Sequence, residues 1–290
     1  MEIQKKMNPK YPIYIPSKGR YDSRLTSKAL EAMKVPYYIV IEKQEYKQYS
    51  KVINPKKILI LPFSNKGLVA ARIWIMEHSI NLGFERHWQL DDNIKEFYRL
   101  NKNTSIRVNS GTILKAAEDF TDRYENIAIS GLQYFMFIND RAAMPPFYLN
   151  TRVYSCSLIN NKIPYRHRRL YNDDTDICLC ALKGGWCTIL FNAFSCRKQQ
   201  TMTMTGGNTE DLYLIQDGRL KMAESLMADH PDVTKISWKW GRWQHSVNYK
   251  PFIKKNKLKL KPGIKIKQGV DNYGMELQIL KENKWTKMNF

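Results

Sequence analysis

The sequence is poor in the features that mark membrane, secreted and zinc-ribbon proteins. No stretch of its 290 residues approaches the roughly 18 consecutive apolar residues that span a bilayer. The opening MEIQKKMNPK also lacks the apolar core of a signal peptide. Neither membrane insertion nor secretion is therefore expected. Cysteine is scarce: Cys156, Cys178, Cys180, Cys187 and Cys196 form no CxxC pair and leave one over, which argues against a disulfide framework and a zinc ribbon and fits a reducing, cytoplasmic setting. Acidic residues are in deficit, with 27 Asp and Glu against 47 Lys and Arg, a net charge of +20. A surface of that sign attracts polyanions such as nucleic acid or acidic membranes, which names a class of partner and not a reaction. Internal repeats and long low-complexity linkers are also missing, so the chain reads as one α/β domain with an appendage.

What is present is a run of alternating strand and helix signals. YPIYIP, ending at Pro16, reads as a strand that runs into the polar turn Ser17-Lys18-Gly19-Arg20. Residues 22–34 read as a helix capped by Asp22 or Ser23, and VPYYIVIE as a second strand ending in Glu42. A third strand over 58–61, a helix over 67–81 and the buried strand in HWQLDDN continue the pattern of a doubly wound, mostly parallel sheet. Past Asn93 the pattern loosens. Residues 109–124 read as a helix, 127–138 as two short strands around Gly131, 145–171 as strand plus loop, 176–184 as a helix and 185–194 as a strand. From Pro251 the composition turns lysine-dominated and alternating, which predicts a small C-terminal β-hairpin over 251–290 appended to a main domain over 1–250.

In an open α/β sheet, ligands bind beyond the carboxyl ends of the strands, so the loops at 16–20, 42 and 91–93 are expected to share one crevice. Asp91, Asp92 and Asn93 offer oxygen ligands of the kind that hard Mg2+ or Mn2+ prefers. LDDN alone is equally a polar turn; two carboxylates directly after an apolar strand shift the reading toward metal. A second acidic group, Asp173, Asp174 and Asp176, stands where a loop enters a helix. Helix capping needs one of the three, which leaves a carboxylate free to serve as general base. Of the five histidines, His245 lies among aromatic and basic residues where it can complete a metal shell or meet a phosphate, with His230 as a rival, although a packed or surface histidine accounts for it equally. Arg166, Arg168 and Arg169, and Lys239 and Arg242, interleave with aromatic residues, a composition suited to phosphates and stacked bases, although solvated charge accounts for such clusters as well.

Taken in order, IPSKGR, VIE, GLVAAR, LDDN, NDDTDICLCALKGGW and a late histidine resemble a glycosyltransferase of the A-type fold. Within that fold the sequence is similar to the TET-associated glycosyltransferases, phage proteins related to the enzymes that glucosylate hydroxymethyluracil in kinetoplastid DNA. The resemblance runs from about residue 11 to about residue 250. It implies that Pro16, Ser17, Lys18, Gly19, Arg20, Glu42, Arg72 and Asp91 hold a nucleotide-sugar donor, a UDP-sugar first. It further implies that Asp91, Asp92, Asn93 and His245 hold the divalent metal, and that Asp174, flanked by Asp173 and Asp176, is the base. Asn93 stands where the family's motif usually has a carboxylate, and Asp173 where glutamate is common. The implied acceptor is 5-hydroxymethylcytosine or 5-hydroxymethyluracil in DNA, met in the cytoplasm of an infected bacterium and bound through the basic clusters. Two other readings stay open at this point: a transferase acting on a cell-surface glycan or small molecule, and a nucleic-acid-binding module without catalysis.

Overall fold

The computed structural model describes residues 7–139, 141, 144–199 and 218–267. The first half alternates as the apolar runs require: Ile13–Pro16 (β1), Leu25–Ala32 (α1), Tyr38–Ile41 (β2), Tyr46–Tyr49 (α2), Ile58–Ile60 (β3), Gly67–Asn81 (α3) and Arg86–Leu90 (β4). The four strands pair in parallel in the order β3-β2-β1-β4. Every residue of β1 and β4 is buried, as expected of strands covered on both faces. Helix α1 is shorter than the predicted 22–34. Arg24 N–H bonds the Arg20 carbonyl at 2.9 Å, so residues 21–23 are spent in a turn, and Arg24 itself sits in the left-handed region without any side-chain cap from Asp22 or Ser23.

The sheet then continues through strands that the sequence pattern showed poorly. Ile94–Asn101 (β5) and Thr104–Arg107 (β6) form an antiparallel pair at one edge, where the residues alternate only loosely because part of one face is open to water. After Thr112–Thr121 (α4) comes Ile127–Tyr134 (β7), one continuous strand in place of two. Gly131 marks no break. A Cβ at that position would collide with the Cys156 carbonyl and the Val153 side chain, so the glycine admits the close approach of neighbouring backbone. Phe147–Leu149 (β8), Cys156–Asn160 (β9), Asp173–Lys183 (α5) and Cys187–Lys198 (β10) complete a ten-stranded sheet of order β3-β2-β1-β4-β9-β7-β10-β5-β6, with β8 beside β10. Helix α5 starts three residues earlier than expected, and β10 runs four residues past the expected end at Phe194. Trp88, Tyr14, Phe97 and the isoleucines of β1 and β2 fill the core between sheet and helices.

Gly218–Asp229 (α6) leads into a separate antiparallel hairpin, Thr234–Lys239 (β11) and Arg242–Val247 (β12). Of the C-terminal hairpin expected over 251–290, residues 268–290 lie outside the described residues. The described part of that segment has no strand: it holds Lys250–Lys255 (α7) and a single bridge between Leu260 and Tyr124. Phe252 of α7 is buried with Leu179, Leu182 and Leu226, so this part packs on the main body. Among the described residues no helix is long and apolar enough to cross a membrane.

One buried carboxylate ties the start of the chain to the sheet. Glu118 of α4 is fully buried and accepts from Lys10 N–H at 2.8 Å, Tyr11 N–H at 3.1 Å and Trp88 Nε1–H at 2.9 Å. Glu118→Ala strands three donors, each worth about 1–3 kcal/mol when left unmet. A stability loss of at least about 3 kcal/mol is expected in urea denaturation; a loss under about 1 kcal/mol would mean that water replaces the carboxylate.

Candidate active site

Strands β1, β2, β4, β7 and β10 point one way and β9 the other. The loops after β1, β2 and β4, the last residues of β7 and β10, and the residue before β9 therefore meet at one edge. They line a cleft of about 570 Å3, whose other walls come from the starts of α3 and α5, from α6 and from β12. Pro16, Ser17, Lys18, Arg20, Glu42, Arg72, Asp91, Asp92, Asn93, Asp173, Asp174 and His245 all line it. The crevice inferred from the sequence is thus one physical space.

On one side, Asp92 fastens the loop after β1. Its two oxygens take Ser17 Oγ at 2.8 Å and the Arg20 guanidinium, and Ser17 Oγ meets the Tyr49 hydroxyl at 2.7 Å. With one of these contacts on each oxygen, Asp92 shapes the loop. Gly19 does not line the cleft; its N–H bonds Glu45, and its φ of 66° is one that glycine adopts without strain. Glu42 accepts from Asn65 N–H at 2.8 Å and lies 3.4 Å from Lys18 Nζ.

Across the cleft, Arg72 organises three acids. Its guanidinium reaches Asp174 at 2.7 Å, Asp173 at 2.9 Å and Asp91 at 3.2 Å. Lys198 Nζ holds the other oxygen of Asp91 at 2.7 Å and also donates to Ser155 Oγ at 2.7 Å. Burial would raise the Asp91 carboxyl, but Lys198 and Arg72 outweigh it and keep it below the usual carboxylate range. Burial would likewise lower the Lys198 ammonium, but Asp91 keeps it charged. The adjacent pair separates. Asp173, against Arg72 and with His167 Nδ1 3.1 Å away, stays ionised in spite of its burial. Burial pushes Asp174 up to about 7; Arg72 offsets this only in part, and the charge of Asp173 adds to the rise.

Lys198, Ser155, Arg152 and Arg219 also line the cleft and were missed in the sequence. Lys198 had a partial signal, since the apolar run of β10 continues through Phe194 to Cys196. Its last residues are strand because they pair with β5, and as far as Cys196 with β7 as well, which no local pattern shows.

Some expected site residues lie elsewhere. Asp176 is fully buried outside the cleft, where Arg168 clasps it at 2.7 and 2.9 Å and His230 Nε2 lies 2.9 Å away. At about 100° per residue, Asp174 and Asp176 point to nearly opposite sides of the helix. His230 is thereby committed, and of the two rival histidines only His245 lines the cleft. Arg166 pairs with Glu77 at 2.8 Å and Arg169 pairs with Asp229. The arginine trio expected to grip phosphates therefore fastens its own loop to α3, α5 and α6. Lys239 and Arg242 are exposed cross-strand neighbours on the hairpin.

Metal-ligand chemistry is found in two places. Asp176, Cys180 and His230 are close enough to share an ion, but Arg168 already neutralises that carboxylate. In the cleft, Asn93 Oδ1 is buried with no hydrogen-bond partner among the described residues, next to Asp91. Burial and nearby Arg152 push His245 down, toward the neutral imidazole that binds metals.

The sequence model of the TET-associated glycosyltransferases matches residues 11–207. The chain belongs to that family. As a TET-associated glycosyltransferase it is a transferase, and the cleft occupies the edge of its α/β sheet where such sheets bind ligands. Comparison with curated protein sequences finds no match. Among solved structures it is similar to a protein assigned as a nucleotide-diphospho-sugar transferase from Desulfovibrio desulfuricans, at 9% identity and a TM-score of 0.38, over 63% of this chain and 80% of that one. It is also similar to a mannose-6-phosphate isomerase from Helicobacter pylori at 9% identity and a TM-score of 0.27, over 87% and 94% of the two chains. Likenesses this weak carry no argument, and the assignment rests on the family match and the sheet.

Proposed function

We propose that this family member moves a sugar from a nucleotide-sugar donor, a UDP-sugar first, to the hydroxyl of a 5-hydroxymethylpyrimidine in DNA. The observation that carries this reading is the meeting of Arg72 and Lys198 with Asp91 and Asp174 on one side of the cleft. There a charged carboxylate and cations stand beside a carboxyl that titrates near neutrality. The net charge of +20 supports a polyanionic acceptor.

In this reading the Ser17–Arg20 loop and Glu42 hold the nucleotide, with Lys18 and Arg20 near its phosphates. Asp174 accepts the proton of the acceptor hydroxyl as that oxygen bonds the anomeric carbon. The bond from this carbon to the diphosphate oxygen breaks, and the nucleoside diphosphate leaves with the electron pair. Arg72 and Lys198 offset the charge that develops on the leaving group. The donor set fits a hard divalent cation, because Asn93 Oδ1 is unpartnered beside Asp91 and His245 lines the same cleft. Held by Asp91, Asn93 and His245, Mg2+ or Mn2+ would further neutralise the diphosphate.

Mass spectrometry of nucleosides from hydroxymethylated DNA, after incubation with a panel of nucleotide sugars and Mn2+, tests the reading. One added sugar per modified pyrimidine is expected; transfer to a glycan by a protein with no DNA affinity would overturn the acceptor. Excess chelator should abolish transfer, and added Mn2+ should restore it. Full turnover in chelator would remove the metal from the mechanism.

A further inference from the structure

Three of the seven tryptophans fall between residues 238 and 243, on the β11–β12 hairpin. Trp238 and Trp243 are direct cross-strand partners, their rings 5.3 Å apart and nearly perpendicular, yet they are 59% and 39% exposed. Trp240 occupies the two-residue turn with Gly241, at φ 54° and 68°, and is 82% exposed. Asparagine or glycine suits the first place of such a turn. A tryptophan there bears a conformational cost and gains no burial in return.

The hairpin is part of the cleft wall, since Trp243, Gln244 and His245 line it. Alternation puts Lys239 and Arg242 on the face opposite Trp238 and Trp243. Residues 234–247 contain no acid. Exposed indoles on a ribbon that carries cations on its other face suit unstacked bases on a phosphate backbone; a sugar platform would call for acidic partners for hydroxyl groups, and this ribbon has none. A hydroxyl must come within hydrogen-bond reach of Asp174 to lose its proton, and Asp174 lies inside the cleft with its side chain 22% exposed, where a base drawn out of the stack reaches it.

We propose that the β11–β12 hairpin is the element that receives the acceptor base once it has left the helical stack. Trp238 and Trp243 stack on the extruded base or its neighbour, Trp240 holds the gap at the tip, and Lys239 and Arg242 meet flanking phosphates. This rests on the DNA acceptor proposed above and adds to it the part of the molecule that reads the strand.

The test uses the full chain, a single-stranded oligonucleotide with one 5-hydroxymethylcytosine, and the matching duplex. Trp240→Asn suits the turn better than tryptophan and so leaves the hairpin folded; Trp238→Ala is compared with Trp238→Tyr, which keeps a ring. Trp240→Asn and Trp238→Ala are expected to bind the single strand about 10- to 100-fold more weakly than wild type, with Trp238→Tyr restoring most of the affinity. Nucleoside diphosphate affinity, measured by calorimetry, should not change. On the duplex, 2-aminopurine fluorescence next to the target should rise with wild type and not with Trp240→Asn. If wild type binds and modifies the oligonucleotide and both variants do so equally well, the hairpin proposal fails while the DNA reading stands. If wild type binds no oligonucleotide, the DNA reading itself fails. Tryptophan quenching by an oligosaccharide alone would make the hairpin a sugar platform and overturn the proposal.

Discussion

Arg72→Ala is expected to cost about 3–5 kcal/mol of stability at pH 8, the usual consequence of breaking a buried ion pair from one side. Arg72 is 7% exposed, and its guanidinium serves Asp91, Asp173 and Asp174 together. Without it, the three carboxylates lose the cation they share, although Asp91 keeps Lys198 and Ser155 and Asp173 keeps His167. The carboxyls of Asp91 and Asp173, now held low, then rise, and that of Asp174 rises further above its unfolded value, so the penalty is small where carboxyls are protonated and grows as pH rises. The variant should come closest to wild type near pH 5 and diverge toward pH 8 in urea denaturation. Arg72→Lys restores one charge without the fork and should recover part of the loss. A loss within about 1 kcal/mol at pH 8 would show that Arg72 is not the counter-ion on which this cluster depends.

Asp174→Asn should cut turnover at least about a hundredfold, within the range that a general base contributes. The same substitution should not weaken the fold. Burial holds the Asp174 carboxyl up at about 7, above its unfolded value, so its stabilising contribution is present in acid and is lost as pH rises through about 7. Asparagine has no such loss, and at pH 8 the variant should unfold at or above the wild-type temperature. In the wild type, transfer should rise with pH through the same window as the base deprotonates. Asp176→Asn is the internal contrast. It weakens the clasp with Arg168 and His230 and so should lower thermal stability while leaving kcat of the folded enzyme nearly intact. Retained turnover in Asp174→Asn together with its loss in Asp176→Asn would reverse the assignment.

Much of this site was readable from the chain alone. Parallel strands carry their following loops to one edge, so Ser17–Arg20, Glu42 and Asp91–Asn93 could be brought together from strand order, and helix 67–81 is present at its predicted limits. These features depend on local patterns repeated along the chain and on a topological rule that needs no side-chain detail. The sequence by itself also determined the family and the sign of the surface charge. Tertiary structure decided which groups are free to act. Asp92, Asp176, Arg166 and Arg169 have the right chemistry but pair with Ser17, His230, Glu77 and Asp229, all distant in sequence, and pairing of that kind leaves no local trace. Lys198 enters the cleft because pairing with β5, and as far as Cys196 with β7 as well, extends β10, and the tryptophans of 238–243 face solvent beside the cleft because the hairpin stands apart from the main sheet. Both outcomes depend on contacts between segments distant in sequence, which residue spacing does not encode.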